Sequence, residues 1–310
     1  MSRGSCRARR NARLVSKVWA VAAIALLISA SAHAQDLIFP EWEYAPNAET
    51  SVVAKSLGYS ASATYSFGND TLSDTWSIAK SPIHWGVRGW LVAGAVAGAT
   101  TGMIYTLDAD IRRASVGNER FYEFGEHIRW VGNGPGLVAL TGSMALVGIA
   151  FDRPKERETA RLLLEASAVG YGYTLFGKYT FGRSRPSTNR GPRDFDPYSG
   201  NVSMPSGEAT SAFVMAGVIT SQYPQWYWQI TAYSLATAVG IGRIALDAHW
   251  GSDILLSAAL GIAVSKAVVH FNRKRKIERR ERQRDGNGSA YVQRHFVQVT
   301  TRSFRWTVLF

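Results

Sequence analysis

Six apolar segments recur between residues 84 and 271, and they limit what this chain can fold into more than any other feature. They are Gly89–Leu107, Leu137–Phe151, Ala160–Gly177, Ala209–Gln222, Trp228–Leu246 and Ile254–Phe271. Most are rich in Ala, Gly, Val and Leu, and they are about long enough to cross a bilayer or to form buried core helices. The expected fold is all-α, a bundle of about six apolar helices embedded in a membrane. Trp85, Trp90, Trp226, Tyr227, Trp228 and Trp250 gather near segment ends, as in an interfacial belt, although such rings also fill ordinary cores. Ala160–Gly177 contains Arg161 and Glu165, which are costly in lipid. If that segment does not cross, the loop after it faces outward and the later basic block faces the cytoplasm, as the positive-inside tendency prefers.

The flanks read differently. Residues 1–34 hold six basic residues and no acid, then the apolar run Val18–Ile28 and the small-residue pattern Ser31-Ala32-His33-Ala34. This is the pattern of a signal peptide cut after Ala34, so the mature protein is expected to be exported, with its site facing outward from a cell membrane or periplasm-facing membrane. The only cysteine, Cys6, falls in the removed part, leaving neither a thiol nor a disulfide. Residues 35–83 are rich in Ser, Thr and Tyr without a helical period, and predict an irregular N-terminal arm. Residues 84–271 form the helical domain. Residues 272–310 read as a basic linker followed by C-terminal β strands, because Ala290–Phe310 alternates apolar and polar residues.

Charge excludes one class of function. The chain has 35 Lys and Arg against 23 Asp and Glu, but the excess lies in residues 1–34 and in Arg273–Arg284. The body is close to neutral, so nucleic acid is not an expected partner.

Three clusters carry possible chemistry. The first runs from Lys178 to Pro186 and contains Arg185; the second is Pro205-Ser206-Gly207-Glu208; the third runs from Gly242 to Asp253. Lys178, Arg185 and Arg243 sit at the ends of apolar segments, and guanidinium and ammonium groups suit phosphate oxygens. Ser206-Gly207 opens a helix whose free N–H groups suit an anion. His249 and Asp253 are four apart, on one helical face, where a carboxylate can fix an imidazole tautomer. Together these give an oxyanion cradle, a nucleophile and its orienting acid. Separately, each has a plainer reading: a membrane-surface anchor, a helix cap, a surface hydrogen bond. Arg183 and Arg190 are read as loop charges and left unassigned.

In order and spacing the clusters resemble the signature of the type-2 phosphatidic acid phosphatase superfamily, which includes bacterial acid phosphatases, lipid phosphate phosphatases and vanadium haloperoxidases. Its pattern is Lys, six residues, Arg-Pro; then Pro-Ser-Gly-His; then Ser-Arg, five residues, His, three residues, Asp. Lys178, Arg185 and Pro186 match the first part, and Arg243, His249 and Asp253 match the third, with Gly242 in place of the Ser. The resemblance covers about residues 84–271. It implies that Lys178, Arg185, Ser206, Gly207 and Arg243 bind phosphate, that His249 becomes a phosphohistidine, and that Asp253 orients it. It also implies that the residue after Pro-Ser-Gly protonates the leaving group. That residue is Glu208 instead of histidine.

A protonated carboxyl can act as a general acid, whereas neighbouring cations favour the carboxylate. Three outcomes stay open: activity at acid pH, activity on good leaving groups such as anhydrides, or phosphate binding without turnover. The expectation is an altered but active phosphatase, with catalytic candidates His249, Asp253 and Glu208, that hydrolyses a phosphorylated lipid or a small phosphate ester without metal or other cofactor. The rivals are a phosphate-head-group scaffold and a peroxidase with vanadate in the same cradle.

Overall fold

The computed structural model describes residues 59–300, with side chains over 67–282. The expected signal peptide and the first part of the arm lie outside the described residues. Among the described residues nine α-helices follow in order: α1 Tyr59–Lys80, α2 Val87–Thr106, α3 Asp108–Ser115, α4 Glu119–Gly132, α5 Gly134–Ala150, α6 Pro154–Phe181, α7 Gly207–Gln222, α8 Trp226–Ala245 and α9 Gly251–Thr300. Short 3-10 turns occupy Ser81–His84 and Pro186–Thr188. Among the described residues there is no sheet, only an isolated bridge between Arg183 and Phe195.

Each of the six apolar segments is a helix. Two expectations are corrected. The arm is not irregular over residues 59–80, which are α1. The β strands expected over residues 290–310 are absent over 290–300, where α9 continues; residues 301–310 lie outside the described residues. Extending an existing helix avoids the nucleation cost, and an alternating pattern is too weak to override it.

The chain divides into two compact units between Val269 and His270. In the first, α7 is the central helix. It is apolar on nearly every side, as a helix surrounded by others must be. One face packs Val214, Met215 and Val218 against Leu162, Leu163 and Val169 of α6 and Val264 and Val268 of α9. Another packs Ala212, Phe213 and Ala216 against Tyr233, Ala236 and Val239 of α8. At the start of α7, Ala209 joins Met103 of α2, Ile111 of α3, Ile244 of α8 and Ile254 of α9. The starts of α7 and α9 and the ends of α6 and α8 are thereby held near one another.

Among the described residues two helices, α2 and the Gly251–Arg282 part of α9, are long and apolar enough to cross a membrane. The pair α4 and α5, bent by 45°, passes the same test as one broken span. Ala160–Gly177 is part of α6, a 28-residue helix that does not meet that test among the described residues.

Candidate active site

The site is built from helix ends. Helix α6 starts with Pro154, whose missing N–H costs nothing at a first helical position, and ends at Gly182 with φ 54°. A Cβ at Gly182 would lie 1.7 Å from the Asp196 carbonyl oxygen, so only glycine allows the turn. A Cβ at Gly177 would sit 2.8 Å from Pro205 Cδ, so α6 approaches the Pro-Ser-Gly loop through a glycine. Lys178 follows directly. Its Cε lies 4.0 Å from where a Cβ of Gly207 would be, and its Nζ donates to the Val202 carbonyl.

The connection from Gly182 to Ser206 is strapped in place. Asp196 N–H donates to Gly182 O at 2.9 Å, Ser184 N–H to Asp194 O at 3.1 Å, and Ser203 N–H to Arg183 O at 3.0 Å. The peptide before Pro205 is cis. Ser206 is fully buried; its hydroxyl caps α7 by accepting from Ala209 N–H, and its own N–H donates to Ser257 Oγ at 2.8 Å. The capping geometry leaves the N–H groups of Gly207 and Glu208 without an acceptor inside the helix, in the place where a helix start favours an anion.

The nucleophile candidate lies in the turn between α8 and α9. His249 is 4% exposed, and its Nδ1 is 2.7 Å from the Ser203 carbonyl oxygen. A carbonyl only accepts, so Nδ1 carries the proton and Nε2 keeps its lone pair. Asp253 Oδ2 stands farther off, 3.7 Å from Nδ1. Both of its oxygens are engaged: Oδ2 accepts from Ser203 Oγ at 2.6 Å and Trp250 N–H at 2.9 Å, and Oδ1 from Arg183. Burial brings His249 down to about 4, opposed by Asp253, so the ring is neutral at physiological pH. The turn is also clamped from outside. Arg112 of α3 grips both oxygens of Asp247, at 2.8 and 2.9 Å, and reaches Asn189 at 2.8 Å.

Lys178, Arg185 and Arg243 face one another closely enough that Arg185 and then Arg243 act on Lys178. Burial is the larger cause, and together they bring Lys178 down to about 8. The Nε atoms of Arg185 and Arg243 are buried without hydrogen-bond partners. Orphaned donors beside a free helix start fit an anion. Glu208 sits among them, with Oε2 3.0 Å from Arg243 Nη1. The structure thus brings together Lys178, Arg185, Ser206, Gly207, Glu208, Arg243, His249 and Asp253.

Sequence reasoning missed Arg183 and Asp108. Arg183 is not a loop charge: it is fully buried, and it bonds Asp253, Ser252 and Asp108. Its proximity to Lys178 and Arg185 in the sequence was the available signal, and Asp108 offered none. Arg190 is exposed and lies 3.9 Å from Asp194.

Residues 159–277 match the family model of the PAP2 superfamily. A lipid A 1-phosphatase of Porphyromonas gingivalis is 30% identical over 171 residues, which are 53% of this chain. The chain spans 34% of that relative's length. The crystal structure of Aquifex aeolicus LpxE is similar at 21% identity and a TM-score of 0.44, covering 54% of this chain and 96% of that one. A transmembrane PAP2-type phosphatidylglycerolphosphate phosphatase from Bacillus subtilis is similar at 20% identity and a TM-score of 0.39, covering 68% and 96%.

Proposed function

We propose that this protein is an exported, membrane-associated phosphatase that releases phosphate from a phosphorylated lipid through a phosphohistidine on His249. The observation that carries the reading is the neutral, tautomer-fixed His249 beside three cations and a free helix start. In the first step Nε2 bonds phosphorus while the bond to the leaving oxygen breaks. Lys178, Arg185, Arg243 and the N–H groups at the start of α7 hold the phosphoryl oxygens where charge develops. Glu208, in its protonated form, gives its proton to the leaving oxygen. In the second step water attacks phosphorus, the N–P bond breaks, and the water's proton goes to Glu208. Phosphate leaves, and His249 returns to its neutral form.

A lipid substrate is favoured by the apolar surface. Trp90, Leu91 and Tyr105 of α2 and Tyr171, Leu175 and Phe176 of α6 are exposed. The lipid A 1-phosphatase that this chain resembles is named for a lipid.

A second reading, a head-group-binding protein without turnover, is favoured by one contact. Glu208 lies on Arg243, a cation that the first reading gives to phosphate.

Phosphate release decides between them. Wild type, Glu208→His and His249→Ala are assayed from pH 4 to 8 on phosphatidic acid, an isoprenyl pyrophosphate and an aryl phosphate. Wild-type release above the His249→Ala blank supports the enzyme. A silent wild type revived by Glu208→His supports the binding protein. Silence from both folded proteins removes the catalytic reading for these substrates.

A further inference from the structure

Behind His249 the Asp253 carboxylate is held by buried groups to which the phosphate chemistry gives no role. Asp108, Arg183, Ser252 and Asp253 are each at most 1% exposed. Arg183 donates to Asp108 Oδ2 at 2.8 Å, to Ser252 Oγ at 2.7 Å, and to Asp253 Oδ1. It also donates to the Pro192 carbonyl through Nε and Nη2, and its guanidinium lies 5.4 Å from the Trp250 ring and 5.2 Å from the Phe195 ring. Asp108 completes the link. Its Oδ1 accepts from Ser252 N–H at 3.0 Å, capping the first turn of α9 from another helix, and its Oδ2 accepts from Ser252 Oγ.

Such a buried cluster is weak evidence for stability, because desolvation offsets the attraction. Its placement says more. Arg183 holds one Asp253 oxygen, and the other oxygen is the one that faces His249 Nδ1. Rotation of that carboxylate is blocked by Arg183 on one side and by Ser203 Oγ and Trp250 N–H on the other. Asp108 fixes the helix turn from which Asp253 projects. The charges fit as well: the Asp253 carboxylate that Arg183 holds faces the imidazolium character that His249 gains when Nε2 bonds phosphorus.

We propose that Asp108 and Arg183 are positioning residues for the nucleophile, Asp108 setting the start of α9 and Arg183 setting the Asp253 carboxylate that backs His249. The inference rests on the reading of His249 as the nucleophile.

The test uses the full chain in detergent micelles. Asp108→Asn keeps the shape and removes the charge, and Arg183→Lys keeps the charge and removes the fork. Turnover of phosphatidic acid, inhibition by orthovanadate and thermal melting are measured for each. The expected kcat falls on the order of a hundredfold, the effect of misplacing a reacting group by about 1 Å. KM and vanadate affinity stay within about threefold, since the phosphate cations are untouched. Wild-type kcat in Asp108→Asn overturns the proposal, as does a parallel loss of kcat, vanadate affinity and melting temperature. Where Arg183→Lys fails to fold, Asp108→Asn decides.

A second readout needs no turnover. In 15N-histidine-labelled protein the Nδ1–H resonance of His249, identified by its loss in His249→Ala, shifts and exchanges faster in Asp108→Asn. An unchanged resonance sinks the positioning role. If His249→Ala keeps wild-type turnover, the nucleophile reading alone has failed, and the resonance still shows whether Asp108 acts on His249.

Discussion

In the proposed mechanism Glu208 decides the chemistry at the scale of single residues. It gives the leaving oxygen its proton from a place beside Arg243, with Oε2 3.0 Å from Nη1. Glu208→Gln, which cannot give up a proton, is therefore expected to lower kcat on an alkyl lipid phosphate about a hundredfold, the usual worth of a general acid, and to change pyrophosphate hydrolysis little. Phosphate release on both substrates checks this. In the proposed site, Lys178 sets a pH limit on phosphate binding. Held down to about 8, it is charged below that pH and neutral above it. Orthovanadate inhibition weakens as pH rises through 8, and Lys178→Arg removes the weakening. His249 acts on stability. Its ordinary value is 6.5, and burial brings it to about 4. Between these values the unfolded chain takes up a proton that the folded chain refuses, so stability falls as pH falls through that window. Melting temperatures from pH 7 to 4.5 should drop in wild type and drop less in His249→Gln. The residues that the fold gathers at the candidate site were legible in the sequence because their spacing is a pattern. Arg183 was not, because a guanidinium in a polar loop looks solvated until its carboxylate partners, Asp108 and Asp253, are seen to come from distant parts of the chain.

Among the elements, the apolar helices announced themselves and the polar ones did not. Helix α1 lacks an apolar period because its inward face is polar. Asp70 and Asp74 are buried, Arg161 pairs with Asp70, and Tyr173 Oη donates to the Thr75 carbonyl at 2.7 Å. Thr71 and Thr75 turn their hydroxyls back onto their own helix. Helix α3 was hidden by its shortness and charge, yet Asp108 and Arg112 both come from it. The loop from Gly182 to Ser206 carries the Ser203 carbonyl that fixes His249, and Gly182 sets its start. Gly182→Ala should cost at least about 3 kcal/mol, from a strained φ and a forced displacement of Asp196. Thermal melting in detergent measures it.

At the scale of the molecule, length and apolar composition gave the helical bundle, while the number of crossings was not legible. Short helices rich in Ala and Gly serve equally as protein core and as spans. The fold separates the two uses: α7 is enclosed by other helices, whereas α2 exposes much of its apolar surface. Reading α2 as a membrane span predicts that Ala97→Arg raises the insertion cost by about 3 kcal/mol. The variant should be lost from alkaline-washed membranes that retain the wild type. The most direct test of His249 as nucleophile is a trapping experiment. The full chain is mixed with 32P-labelled phosphatidic acid and quenched within milliseconds, with His249→Ala alongside. Expected is a covalent label on His249, stable in base and labile in acid, that disappears in the variant. Turnover that persists in His249→Ala, or a label on another residue, would contradict the phosphohistidine mechanism.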